Sequence, residues 1–356
     1  MANDENRASD AELAAHNEGF VYSGDVRTGF ISGMTFRSKP VQYSVVGGLA
    51  FFEGCICLGT VEEMERATAL VQASSTSDSP TASAAEDPFI ARSVVISGSQ
   101  YRWPNGLMPY EVDANLPNKQ RVTDAIAHWQ SKTNLRFVER TAASAAQYPN
   151  YVHIFRGDGC WSYVGMRGGR QDLSLADGCG FGSAVHELGH AWGLWHEQSR
   201  EDRDSYVTIH WENIQEGQEH NFNQHITDGD DVGSYDYGSI MHYGMYAFSK
   251  NGMPTIVPIQ SGAVIGQRNS LSPGDIAAVH SIYRTLHHNL TVSLTYATPH
   301  SQNAWAYLAG IGWRKIHPNA RDGVTNTLMV LAASRATGRK VSAELDGSFV
   351  YSAYGD

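Results

Sequence analysis

The chain has 356 residues, more than one ordinary domain uses, and its 42% hydrophobic and 18% charged content is globular rather than disordered. Its 26 basic residues face 37 acidic ones, a net charge of −11, which disfavours nucleic-acid binding through counterion release. No apolar run reaches the roughly eighteen residues of a membrane span. Met1 to Arg7 lacks the apolar core of a signal peptide, so the chain is either cytosolic or a form whose export signal has been removed.

Charge and composition divide the chain at residues 92 and 286. Residues 1–92 carry 13 acidic and 6 basic side chains and include Phe52-Glu-Gly-Cys55, Ile56-Cys57 and a helix start at Thr60-Val-Glu-Glu-Met. They close in a low-complexity stretch, Gln72 to Pro88, which reads as a flexible linker. Residues 93–286 carry 20 acidic and 14 basic residues. Val122, Ala125, Ile126 and Trp129 predict a helix over 118–133, and alternating stretches predict strands at 135–138 and 151–155. A second helix is expected over 183–192, ended by Gly193. Residues 287–356 are mildly basic, with 6 basic against 4 acidic residues. Strands near 290–296 and 304–311, a helix near 326–337 and strands near 340–344 and 348–354 make a small accessory α+β module, for which an OB-like barrel is one arrangement. Trp305, Tyr307, Trp313 and Tyr351 could line a ligand face there, but filling a small core is the simpler reading.

The run His186-Glu-Leu-Gly-His190-Ala-Trp-Gly193-Leu-Trp-His196-Glu197 carries the chemistry. Residues four apart on a helix share a face, so His186 and His190 can bind one metal. A straight helix cannot bring in a third ligand six residues later. Gly193 can take the left-handed conformation that ends the helix and returns His196 to the same point. Three neutral imidazoles suit zinc and leave a position for water. Glu187 then stands beside that water as general base, able to pass its proton to the leaving amine. A core helix with incidental histidines is the bland alternative, and five specified residues at five spacings argue against it.

This run matches the HExxHxxGxxH motif of the metzincins, and Glu197 after the third histidine resembles the astacin branch. Ser239-Ile-Met241-His-Tyr243 resembles the astacin Met-turn, as Gly159-Cys160-Trp-Ser-Tyr-Val-Gly165 and Leu271-Ser-Pro-Gly-Asp275-Ile resemble other astacin segments. The resemblance covers most of 94–286. It implies an α+β, two-lobed metzincin catalytic domain with a twisted sheet and an active-site helix. It also implies one catalytic zinc, Met241 as a floor beneath it, and Tyr243 as an additional ligand that can turn to the oxyanion. A buried aromatic with a satisfied hydroxyl is the plainer reading of Tyr243, and His242 is expected to pack in the core. The aligned disulfide is Cys160–Cys179; cysteines for the family's second disulfide are absent. A strand around Gly169 to Leu175 is expected to be the edge that pairs with an extended peptide.

Astacins are made as precursors whose Phe-x-Gly-Asp motif blocks the zinc with its Asp. Here Cys55 stands in that place, so the resemblance implies a cysteine switch, a device better known in the matrixins. A thiolate is a good zinc ligand. An inert buried thiol at Cys55, or a switch at Asp25 in Tyr22-Ser-Gly-Asp25, are the alternatives, and Cys57 is left unassigned. Cleavage is expected at Arg92-Ser93 by an activating protease, after which the new amino terminus would pair with Glu197; an ordinary structural carboxylate is the alternative there. Arg268 falls near the family's primed-side pocket and would favour an acidic residue after the scissile bond, unless it is merely structural. The sequence thus predicts a secreted, latent zinc endopeptidase acting on proteins or peptides, with its own prosegment as inhibitor. The rivals are a matrixin-like peptidase and a non-catalytic binding protein on a peptidase scaffold.

Overall fold

A computed structural model of the chain describes residues 7–9, 13, 17, 19–31, 39–74, 101–224, 233–283, 285–298, 303–316, 323–345 and 349–355. The chain divides into two compact units, Met1–Val279 and His280–Asp356, so the division falls ahead of the boundary expected at 286, and the N-terminal segment belongs to the same unit as the histidine motif. Arg92 and Ser93 lie outside the described residues, as does most of the expected linker. Its first residues, Gln72 to Ser74, form the end of a helix instead.

The first unit opens with strands β1 (Val26–Ile31), β2 (Lys39–Val46), β3 (Leu49–Phe52) and β4 (Ile56–Thr60), each antiparallel to the next. Gly47 and Gly48, at φ 58° and 80°, make the tight β2–β3 turn that right-twisted strands require. Helix α1 (Val61–Ser74) follows. Its first turn is closed reciprocally: the Glu63 amide donates to Thr60 Oγ1 at 3.1 Å, and the Thr60 amide donates to Glu63 Oε2 at 2.7 Å.

Next come β5 (Leu107–Val112), α2 (Gln120–Lys132), β6 (Arg136–Glu139), β7 (Tyr151–Phe155), β8 (Cys160–Ser162), β9 (Arg170–Leu175) and α3 (Phe181–Trp192). The apolar stripe of α2 is buried as its spacing predicts, and Trp129 donates to the Val185 carbonyl of α3 at 3.1 Å. All nine strands join one sheet in the order β1-β2-β3-β4-β8-β9-β7-β5-β6. This corrects one expectation. The strand over Gly169–Leu175 is not an edge, because β7 pairs with it on one side and β8, returning antiparallel, on the other. The edge of the histidine-bearing part is β8, and β4 occupies it in parallel, with Ile56 opposite Ser162.

Beyond α3 the unit continues through a ribbon of β10 (Val207–Ile209) and β11 (Ile256–Pro258) to α4 (Pro273–Ile282). Val207, Ile214, Phe222, Tyr243, Phe248 and Ile256 form a core there. Cys160 is disulfide-bonded to Cys179, while Cys55 and Cys57 are free and buried.

The second unit holds β12 (Thr285–Leu290), β13 (Val292–Ala297), β14 (Ala304–Leu308), β15 (Gly312–Ile316), α5 (Gly323–Thr337), β16 (Val341–Leu345) and β17 (Phe349–Gly355). The sheet order is β12-β16-β17-β15-β14-β13. Its two end strands do not pair among the described residues, and α5 lies against β13, β14, β15 and β17, so this is an open sheet with a helix rather than an OB-like barrel. The aromatic residues are also placed differently from expectation. Ala304, Ala306 and Leu308 fill the core, so strand alternation turns Trp305 and Tyr307 to the other face beside the exposed Trp313. Tyr351 alone of the four is buried. No helix among the described residues is long and apolar enough to cross a membrane.

Candidate active site

Helix α3 carries His186 and His190 one turn apart, and Gly193 ends it at φ 110°, its amide donating to Gly189 and His190 carbonyls. The chain then turns back through Leu194, and His196 joins the pair. Each imidazole is oriented through its Nδ1–H. His186 donates to the Ile240 carbonyl and His190 to the Leu194 carbonyl, both at 2.8 Å, and His196 donates to Glu53 Oε2 at 2.7 Å. All three Nε2 lone pairs therefore converge. Nε2 of His186 lies 3.1 Å from that of His190 and 3.3 Å from that of His196.

Cys55 completes the cage. Its Sγ lies 3.5, 3.3 and 3.2 Å from the Nε2 atoms of His186, His190 and His196. A tetrahedral zinc with its usual bond lengths needs nitrogens about 3.3 Å apart and sulfur about 3.6 Å from each nitrogen. The four buried donors are close to that spacing. Burial drives the His186 and His190 pKa values well below the ordinary imidazole range, so both are neutral ligands. Burial, reinforced by Glu187, raises the Cys55 thiol, so only a cation in the cage would make it a thiolate.

Glu187 is buried beside this cage, and its Oε2 has no hydrogen-bond partner among the described residues. Burial raises its pKa, with Arg268 opposing. Met241 lies under the helix. A Cβ on Gly189 would come 2.7 Å from Met241 Sδ, so the glycine inside the motif admits this floor. Asp275 fixes the Met241 turn: Ser239 Oγ donates to it at 2.6 Å, and the Ile240 and Ser272 amides at 2.9 and 2.8 Å.

The remaining expected residues are placed as follows. The Tyr243 hydroxyl does not point at the lone pairs of the cage; it donates to the Glu53 carbonyl at 2.6 Å. His242 is buried between the Tyr235 hydroxyl, which donates to its Nε2 at 2.7 Å, and the Tyr243 carbonyl, which accepts from its Nδ1. Glu197 accepts the Asp236 amide at 2.8 Å, and burial pushes its pKa up to about 8 against the pull of Arg200. Arg268 uses Nη1 on the carbonyls of Ile240, His242 and Gln267, which ties it to the Met241 turn. Asp25 is exposed and paired with Arg27 at 2.9 Å, away from the cage. Cys57 points to the Gly59 carbonyl, outside the cage, and burial raises its pKa to about 11.

The N-terminal segment covers the cage from one side. Amides of Cys160 and Ser162 on β8 donate to the Gly19 and Cys55 carbonyls at 2.8 and 3.0 Å. Phe20 stacks on Phe248 with ring centres 4.7 Å apart and lies 5.1 Å from the Tyr243 ring. Arg167 donates to the Leu58 carbonyl at 3.1 Å. Sequence reasoning missed Glu53 and Ser199, whose Oγ donates to Glu53 Oε1 at 2.6 Å. The signal available was an acidic residue between Phe52 and Gly54, inside the motif already singled out.

Three imidazoles aimed at one point with a spare carboxylate alongside constitute a mononuclear metal centre of the metzincin kind. Residues 95–284 match the model of the astacin peptidase family, and the chain belongs to this family, whose members use one catalytic zinc. It is similar to Protein SpAN of Strongylocentrotus purpuratus, 43% identical over 202 residues, which are 54% of this chain and 32% of that protein. Zinc metalloproteinase nas-15 of Caenorhabditis elegans is 45% identical over 186 residues, 51% of this chain and 32% of that protein. The chain thus spans about a third of the length of these curated relatives. Among solved structures it is similar to High choriolytic enzyme 1, a hatching enzyme zinc-protease from Oryzias latipes, at 37% identity and a TM-score of 0.49, covering 54% of this chain and 98% of that one.

Proposed function

We propose that the chain is the latent form of a secreted zinc endopeptidase, in which residues 1–92 are an inhibitory prosegment and Cys55 is the ligand that blocks the metal. The observation that carries this reading is the Cys55 sulfur, 3.2–3.5 Å from all three Nε2 atoms, at the vertex the reaction needs open. The Cys160–Cys179 bond supports an oxidising compartment.

Zinc, when bound, supplies a Lewis acid that acidifies water and polarises the scissile carbonyl. The rest is the chain's own work. Glu187, buried and with an oxygen unpartnered among the described residues, takes a proton from the attacking water and returns it to the leaving amine. Tyr243, whose hydroxyl now donates to the Glu53 carbonyl, would be released when the prosegment leaves; it could then serve as a further ligand where zinc is bound and donate to the developing oxyanion. The β8 amides now serving Gly19 and Cys55 become the edge that holds an extended peptide. Cleavage at Arg92-Ser93 by an activating protease would release the prosegment, and the new amino terminus would pair with Glu197. Arg268, whose charge reaches Glu187, would favour an acidic residue just after the scissile bond.

Cys55→Ala in the full chain tests the central claim. The variant should show peptide cleavage or self-processing that the parent lacks while its prosegment is intact. A variant as silent as the parent, yet active once its prosegment is removed, would refute the switch.

A further inference from the structure

Glu53 is a charged residue held where charge is costly. Its side chain is fully buried, and its backbone sits at φ 47°, a region that a non-glycine residue occupies only when its surroundings insist. Gly54 at φ 67° could have carried such a turn with a second glycine or an asparagine before it. What the glutamate adds is its carboxylate. One oxygen accepts the His196 Nδ1–H at 2.7 Å, and the other accepts Ser199 Oγ at 2.6 Å. Both partners belong to the catalytic part of the chain, 143 and 146 residues away.

The three histidines differ in this respect. His186 and His190 are oriented by main-chain carbonyls of the catalytic domain itself, and His196 by a prosegment carboxylate. A carboxylate behind an imidazole fixes its tautomer and makes the ring a stronger donor to a metal. Charge adds to this. A dication in the cage would be matched by the Cys55 thiolate and the Glu53 carboxylate, two residues apart on one strand connection, while Glu187 faces Arg268. Buried charge is tolerated where it is paired.

We propose that Glu53 is a positioning residue for the metal, a carboxylate lent to His196 by the prosegment, so that the latent form retains zinc more firmly than the histidines alone allow. Ser199 is the anchor that aims the carboxylate. This rests on the reading of residues 1–92 as prosegment, but not on Cys55 being a ligand, because the Glu53–His196 contact is separate from the sulfur.

The test uses the intact full-length protein loaded with zinc, and follows zinc release to a chromogenic chelator at fixed pH. Outer-shell losses of this kind cost about 10- to 100-fold in metal affinity, and Glu53→Gln should speed release by a comparable factor in a protein whose circular-dichroism spectrum matches the parent's. Cobalt-loaded samples report Cys55 independently, through the thiolate-to-cobalt charge-transfer band. Glu53→Gln should keep that band, and Cys55→Ser should lose it. If the parent lacks the band but Glu53→Gln still speeds release, the Cys55 reading fails and the Glu53 proposal stands. If Glu53→Gln folds and releases zinc at the parent rate, the proposal is overturned. Should Glu53→Gln not fold, Ser199→Ala decides: several-fold faster release supports the proposal, and the parent rate overturns it.

Discussion

The two sides of the zinc cage are built to different standards of permanence. On the catalytic side, His186 and His190 stand on one helix, each oriented by a main-chain carbonyl, and Asp275 braces the turn that supplies one of them. On the side contributed by residues 1–92, the proposed prosegment, Cys55 and Glu53 reach the same cage from a strand connection that is joined to β8 by a short parallel pairing. The supports of the catalytic side lie in its own chain segment, so under the proposed activation they would stay in place when residues 1–92 leave. The other side is conditional, and His196 belongs to both: Gly193 returns it to the cage, but Glu53 holds its ring.

The largest effect that separates these sides is chemical. Glu187→Gln removes the proposed proton acceptor from the permanent side and leaves Cys55 and Glu53, the groups of the conditional one, in place. Peptide hydrolysis by the prosegment-free enzyme should fall about 10²- to 10⁴-fold, while zinc content and latency of the intact chain stay as in the parent. Steady-state kinetics with metal analysis checks this. Comparable turnover in the variant would remove Glu187 from the mechanism.

Asp275→Asn comes next. It disturbs a buried acceptor of three donors, Ser239 Oγ and the Ile240 and Ser272 amides. Leaving one of them unpaired should cost about 1–3 kcal/mol. The loss should be the same with and without the prosegment, as measured by denaturant unfolding of both forms. A loss confined to the intact chain would break the distinction between the two sides.

The permanent side was largely legible in the sequence. Helical spacing brings His186 and His190 together, Gly193 takes the left-handed turn that its position demanded, and Tyr151–Phe155 forms the strand that its alternation predicts. Cys55 was legible only through the resemblance of its motif. Pairing was not legible. Alternation makes Gly169–Leu175 a strand but does not say which strands flank it, and the return of β8 turned an expected edge into an interior position. Partners brought from 143 residues away, as Glu53 is to His196, are not named by any local pattern, even where the residue itself sits inside a recognisable motif. In the second unit, the same alternation that identifies β14 also sends Trp305 and Tyr307 away from the core, because the small residues Ala304 and Ala306 occupy the face beneath α5. Bulk suggested core, and periodicity overruled it.

The smallest effect tests how the conditional side is held together. Thr60 follows the Phe52–Cys55 motif and caps α1, with Glu63 returning the bond. This capping box fixes where β4 ends and the helix begins, five residues beyond Cys55. Thr60→Ala should destabilise the helix start by about 1 kcal/mol, with no effect on the prosegment-free enzyme, where the residue is gone. That energy corresponds to roughly a fivefold rise in the population with a loosened prosegment. The intact variant should therefore be processed by a limiting activating protease a few-fold faster than the parent, as followed by gel densitometry. If processing is unchanged while the intact chain melts earlier, the grip on the cage resides in Cys55, Glu53 and the β8 pairing alone, and α1 is only packing against β1.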